Sequence, residues 1–236
     1  MESKIIPVII IPTYNEKENI KKLLKQIFLQ NIENLSIIIV DDNSPDGTAQ
    51  IAEGFRQNKP ITIIKRTGKL GLGSAYIEGF KKAIEMSATH IFQMDADLSH
   101  DPKDLKKLLD ATKNAYLSIG SRKIKSGKII GWNYKRKLMS NGAMFFSRIL
   151  LNLKTRDVTS GFRCFKTETL KKINFATVKS NGYAFQEEML YRTEKGGLTV
   201  TEIPVTFTDR QKGRSKLSKK DILEFFSIII KLKVKR

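Results

Sequence analysis

Cysteine occurs once, at Cys164, in the 236 residues of this chain. No internal disulfide can form, and the chain suits a reducing compartment. Histidine occurs twice, so a zinc cage of His and Cys ligands is excluded as well. Any metal held here would sit on oxygen. No apolar run reaches the roughly 20 residues that a membrane-spanning helix needs. Leu138 to Ser147 stops at Arg148, and Ile222 to Ile230 contains Glu224. The N-terminal run from Ile5 to Pro12 passes into Tyr14-Asn15-Glu16, without the basic, apolar and cleavage regions of a signal peptide. Internal repeats, low-complexity tracts and Pro/Gly/Ser-rich linkers are absent. What is present, 40% hydrophobic and 8% aromatic residues, suffices for one domain with a buried core.

Acidic residues are also scarce, 24 against 43 Lys and Arg, for a net charge of +19. The imbalance is local. Between Ile119 and Arg156 there are ten basic residues and no acidic one; from Arg210 to Arg236 there are ten more against Asp221 and Glu224. These two segments carry +18 of the +19, which points to an anionic partner: nucleic acid, phospholipid or a phosphorylated substrate. Zinc, RNP and helix-turn-helix signatures are missing, which argues against nucleic acid.

The first half alternates strand and helix patterns. Ile5–Ile11, Leu35–Val40, Ile61–Ile64, His90–Met94 and Leu117–Ser121 read as buried strands. Glu18–Gln30, Asp46–Gln57, Ser74–Met86 and Pro102–Lys113 read as helices between them. This βα series predicts a mostly parallel sheet with helices on both faces. The second half is less regular: helices over Leu138–Leu153, Ala184–Glu194 and Ser218–Lys231, strands over Phe162–Lys166 and Leu198–Phe207, and a polar loop over Asp209–Leu217.

Ligands of open α/β sheets bind beyond the carboxyl ends of the strands, and the polar motifs fall there. The first strand ends in Pro12-Thr-Tyr-Asn-Glu16, the second in Asp41-Asp-Asn-Ser-Pro-Asp-Gly47, the fourth in Asp95-Ala-Asp97. Asp46 reads as turn and helix-cap chemistry. Asp95 and Asp97 are two apart and face one way on extended chain. Paired carboxylates repel, so a divalent cation that also binds substrate phosphates is their natural occupant, and a diphosphate substrate is expected. Gly71-Leu-Gly73 lacks the third glycine of a dinucleotide fingerprint, and Gly68-Lys69 is followed by Leu70 rather than Ser or Thr, so dehydrogenase and P-loop readings fail. Gly71 and Gly73 are expected to allow a tight loop against a ligand or the next helix.

These strings, with Leu70-Gly-Leu-Gly-Ser-Ala75, Met94-Asp-Ala-Asp-Leu-Ser-His100 and Gly120-Ser-Arg122, resemble family 2 glycosyltransferases of the Rossmann-like GT-A fold. Gly131-Trp132, Lys135-Arg136, Ser160-Gly-Phe-Arg163, Gly182-Tyr-Ala-Phe-Gln-Glu-Glu188, Asp209-Arg210 and Gly213-Arg-Ser-Lys-Leu217 resemble the dolichol-phosphate (polyprenol-phosphate) mannosyltransferase branch. The resemblance spans about Ile5 to Leu217. It implies mannose transfer from GDP-mannose to a polyprenol phosphate with inversion, with UDP-glucose as the alternative donor. It places Pro12, Tyr14, Glu16, Val40 and Asp42 on the nucleoside, and Asp95, Ala96 and Asp97 on the metal–diphosphate. Asp95 and Asp97 become ligands of Mg²⁺ or Mn²⁺. Arg122, Arg210 and Lys216 fall on the donor phosphates or sugar, and Arg122, Arg136 and Ser140 on the acceptor phosphate. Asp97, Arg122 and Arg136 then carry the chemistry. Some archaeal relatives have Gln, an additional metal ligand, where this chain has Ser99. Gln186 and Glu188 read equally as sugar contacts or as a polar cluster at a helix start.

A lipid acceptor gives the basic segments a purpose. Residues 1–217 are expected to form the transferase domain, with 130–154 as a membrane-facing helical insert, and 218–236 a basic amphipathic helix. Apolar faces flanked by cations suit an interfacial helix. For the terminal helix, lipid and a small integral-membrane subunit are equal readings. The expected location is the cytosolic face of a membrane, held peripherally.

Overall fold

The computed structural model describes residues 4–182, 184–210 and 219–234, with side chains in the last segment from residue 225 onward. Five apolar runs become strands of one sheet: β1 (Pro7–Thr13), β2 (Ser36–Asp41), β3 (Ile61–Lys65), β4 (His90–Gln93) and β5 (Leu117–Ser121). β7 (Arg163–Lys166) and β8 (Val200–Pro204) complete it in the order β3-β2-β1-β4-β7-β5-β8. All neighbours run parallel except β7, which is antiparallel to both β4 and β5. β1, β2 and β4 have helices on both faces, so their residues need not alternate. Val8, Ile9, Ile10 and Ile11 are all buried, even numbers joining one core cluster and odd numbers the other.

The helices follow from their apolar spacing. α1 (Lys17–Phe28) buries Ile20, Leu23, Leu24 and Ile27 on one stripe, each worth about 1.5–3 kcal/mol when fully buried. α2 is Thr48–Glu53, α3 Leu72–Glu85 and α4 Leu105–Ala111. α6 (Thr167–Lys172) leads out of β7, and α7 (Ala184–Lys195) lies buried along most of its length.

Two elements of the second half depart in extent from the sequence pattern. α5 (Tyr134–Leu151) begins a turn before Leu138, because Asn133 Oδ1 caps it by accepting the Arg136 N–H at 2.9 Å. Arg136 and Ser140 therefore share one helical face. Leu198–Phe207 is not one strand. Pro204 ends β8, the Val205 N–H donates to Ser121 O, and the chain moves over to pair β9 (Thr206–Thr208) with β6 (Lys128–Ile130). α8 (Lys219–Val234) packs on α5 and α7, with Phe225 and Ile229 buried and Phe226 edge-on to Phe146 at 5.2 Å. Among the described residues, no helix is long and apolar enough to cross a membrane.

Candidate active site

A cleft of about 400 Å³ opens beyond the carboxyl ends of β1, β2 and β4. Its walls include Pro12, Tyr14, Glu16, Asp42, Asp95, Ala96, Asp97 and Arg210, drawn from loops far apart in sequence. Each of the three strand-end loops contains one left-handed residue other than glycine: Asn15 (φ 56), Asn43 (φ 58) and Leu98 (φ 63). Asparagine tolerates that region; leucine does so at a cost. At Leu98 the turn lets the Ser99 N–H donate to Asp97 Oδ1 at 3.1 Å.

The two acidic pairs divide their labour. Asp41 is structural. Its carboxylate accepts the Thr13 hydroxyl at 2.7 Å, the Ser44 N–H at 2.8 Å and the Ser44 hydroxyl at 2.6 Å, tying the β1 and β2 loops together. Asp42 faces the cleft, 2.9 Å from Nη1 of buried Arg66. Burial raises the Asp42 carboxyl, and the Arg66 charge opposes this. The sequence reading missed Arg66; its signal was a cation at the end of β3, beside the other strand-end loops. Asp46 does cap, accepting the Thr48 N–H at 3.0 Å and the Lys17 N–H at 3.1 Å. Val40 lies fully buried inside the sheet between Pro12 and Ile64, with its side chain in the core. It therefore offers the cleft no side-chain contact.

Asp95 follows β4. Its N–H donates to His100 Nδ1 at 3.2 Å, so His100 accepts there, and its ring stacks on Phe162 at 4.8 Å. Burial raises the Asp95 carboxyl and lowers the His100 imidazole. Asp97 Oδ2 lies 3.2 Å from Arg210 Nη2. Among the described residues no group of three or more His, Cys, Asp or Glu could hold a metal. The Asp95 and Asp97 carboxylates both line the cleft, and two residues on from Asp97 the Ser99 hydroxyl is buried with no hydrogen-bond partner among the described residues. Such a set fits a hard divalent cation that takes further oxygens from its substrate.

A second cationic group adjoins this end of the sheet. Arg122, just past β5, is fixed by fully buried Asp157. Its N–H and Nε donate to Asp157 Oδ2 at 2.8 and 2.7 Å, and Nη2 donates to Oδ1 at 2.6 Å. Burial favours the neutral acid, but these bonds and the Arg122 charge prevail and hold the Asp157 carboxyl below its ordinary value. Trp132 joins Arg122 to Arg136: the guanidinium carbons lie 5.7 and 4.2 Å from its ring centroid. Arg136 Nη1 donates to Asp209 Oδ2 at 2.7 Å. Ser140 stands one turn beyond Arg136 on α5. Lys216 lies outside the described residues. Asp157, Trp132 and Asp209 complete this cluster, and sequence reasoning did not single them out for these contacts.

Gly71 and Gly73 serve a protein loop. A Cβ on Gly73 would come 2.4 Å from Ser180 O, and one on Gly71 2.5 Å from Asn181 Nδ2. Asn181 bridges Leu70 O and the Ser74 N–H, seating residues 180–182 on the α3 N-terminus. Glu188 is occupied by Ser180 and Arg192. That favours the helix-start reading for Glu188 over a sugar contact.

Residues 8–173 match the pattern described as Glycosyl transferase family 2. The undecaprenyl-phosphate mannosyltransferase of Micrococcus luteus is 40% identical over 89% of this chain and 86% of its own length. The polyprenol monophosphomannose synthase of Mycolicibacterium smegmatis is 39% identical over 92% of this chain and 83% of its own. Among solved structures, glucosyl-3-phosphoglycerate synthase from Mycobacterium tuberculosis with phosphoglyceric acid superposes at a TM-score of 0.71, with 16% identity, over 97% of this chain and 80% of that one. That likeness carries the fold, and the family match carries the descent: the chain belongs to glycosyl transferase family 2.

Proposed function

We propose that this chain transfers mannose from GDP-mannose to the phosphate of a dolichol or polyprenol phosphate, giving the β-mannosyl phosphate with inversion. The names of its 40% and 39% identical relatives support the reaction class. The observation that carries it is the juxtaposition of Asp95, Asp97 and Arg210 in the cleft with Arg122 and Arg136 outside its walls, joined by the consecutive residues Asp209 and Arg210.

Pro12, Tyr14, Glu16 and Asp42 hold the nucleoside, with Val40 acting only through the sheet. Mg²⁺ or Mn²⁺, held by Asp95 and Asp97, would neutralise charge on the departing diphosphate. Arg210, with Lys216, adds cations on the same leaving group. The acceptor is largely dianionic at neutral pH, since a phosphate monoester has a second pKa of about 6. It needs no strong general base. Its difficulty is approach to another anion. Arg122, pinned by Asp157, and Arg136, stacked on Trp132, screen that repulsion and orient the phosphate, with Ser140 as a further donor. Attack from the side opposite the diphosphate inverts the anomeric carbon.

The acceptor is a membrane lipid, and residues 130–154 suit its surface. Phe145 and Ile149 are 65% and 64% exposed, beside Leu138, Met139, Lys135, Lys137 and Arg148. Each basic residue near an anionic surface contributes about 1 kcal/mol. This reading places the chain peripherally on the cytosolic face, with residues 1–217 as transferase and 218–236 as a basic helix. The exposed edge of α8 (Phe226, Ile230, Val234) suits lipid or a small integral-membrane subunit equally. The reading calls for no nucleic acid. The test is release of nucleotide with Mg²⁺ or Mn²⁺, polyprenyl phosphate, and GDP-mannose or UDP-glucose in parallel. GDP release that needs lipid and stops in EDTA is expected. UDP release alone would reassign the donor, and full activity in EDTA would remove the metal.

A further inference from the structure

Asp209 and Arg210 are consecutive, yet they grip different parts of the site. Asp209 Oδ2 accepts from Arg136 Nη1 at 2.7 Å, while Arg210 Nη2 lies 3.2 Å from Asp97 Oδ2. The backbone here is closely held. The Asp209 N–H donates to Ile130 O at 2.9 Å, and a Cβ on Gly131, at φ 91, would come 2.9 Å from Asp209 Cβ. Arg136 has a second support, the Trp132 ring at 4.2 Å, so its guanidinium keeps a place without Asp209. The Arg136 and Asp209 side chains are 39% and 26% exposed, so an anion from solution can reach them.

A carboxylate and a phosphate are alternative acceptors for one guanidinium. Both together would set like charges side by side. We infer that Asp209 holds the acceptor-phosphate position on Arg136, and that its release is tied through Arg210 to occupation of the donor end at Asp97. This rests on the lipid-phosphate reading above. A diphosphate beside Asp97 offers Arg210 more negative charge than Asp97 alone. The Asp209 backbone stays held by Ile130 O, while its carboxylate, which accepts the Arg210 N–H at 3.0 Å through Oδ1, turns with Arg210 and leaves Arg136, which stays stacked on Trp132. Donor then binds before acceptor, and the lipid phosphate is not captured by a site without a sugar to transfer. Asp209 is thus a positioning residue for the reaction.

Trp132 is the sole tryptophan of the chain and touches Arg136, so its fluorescence reports this event without turnover. The experiment titrates the whole chain with farnesyl phosphate, with and without GDP and Mg²⁺. In the native chain GDP should tighten farnesyl phosphate binding. Asp209→Asn should tighten binding without GDP roughly fivefold or more and shrink the GDP effect. Asp209→Glu should restore native behaviour, and Arg210→Ala should abolish the GDP effect. Equal affinity in native and Asp209→Asn chains, or weaker binding by the variant, overturns the inference and leaves the lipid-phosphate reading standing. Absence of binding by both chains overturns the two together.

Discussion

Glu187 lies fully buried on α7, and neither of its carboxylate oxygens has a hydrogen-bond partner among the described residues. Burial pushes its pKa up to about 8, against the opposing charge of Arg163. Arg163, also fully buried, spends its guanidinium on the carbonyls of Val158, Ser160 and Gln186. A neutral Glu187 avoids the cost of a buried, unpaired anion. The sign of the pH dependence follows. The unfolded chain loses this proton near its ordinary value of 4.5 and the folded chain near 8, so the folded state binds more protons in between. Stability should fall as pH rises through that window. Glu187→Gln should flatten this slope, which denaturant midpoints at about pH 5 and about pH 8 would measure. An unchanged slope would show Glu187 to be ionised. At this scale the sequence showed the cleft carboxylates, because short motifs at strand ends carry them. It hid the Arg122–Asp157 pair, whose members are 35 residues apart, and Arg66, whose partner Asp42 sits in the loop after a different strand, β2.

At the scale of elements, the helix α3 and the loop before α7 form one wall. Gly71, Leu72, Asn181 and Gly182 line the cleft together, and the loop sits on α3 only because Gly73 has no side chain. Gly73→Ala brings a methyl against Ser180 O and Phe185. It should cost about 1–3 kcal/mol by overpacking and weaken GDP binding. Thermal melts with and without GDP check both; a native melt with native GDP binding would contradict the role. The strands of the first half were legible because sheets covered on both faces produce unbroken apolar runs. The antiparallel insertion of β7 was not, since strand direction leaves no mark on composition. Nor was the break at Pro204: both sides of it are apolar, and the exchange of sheets depends on β6, only three residues long.

For the whole molecule, charge and apolar exposure coincide. The basic segment from Ile119 to Arg156 contains α5, the helix with Phe145 and Ile149 turned outward. Phe145→Ser with Ile149→Ser should reduce flotation with anionic liposomes while leaving the melt within about 0.5 kcal/mol of native, since both side chains are exposed. Unchanged flotation would count against this face. Periodicity on α5 could not separate its core side from its exposed side, because α8 covers part of it, packing Phe226 on Phe146 while Phe145 stays exposed. The central claim is that a lipid phosphate, not a hydroxyl, is the nucleophile. Mass spectrometry of products from GDP-mannose with polyprenyl phosphate and, separately, with the unphosphorylated polyprenol tests it most directly. The account expects a mannosyl phosphate diester from the first and no mannosylated lipid from the second. Mannosylation of the free alcohol at a comparable rate would contradict it.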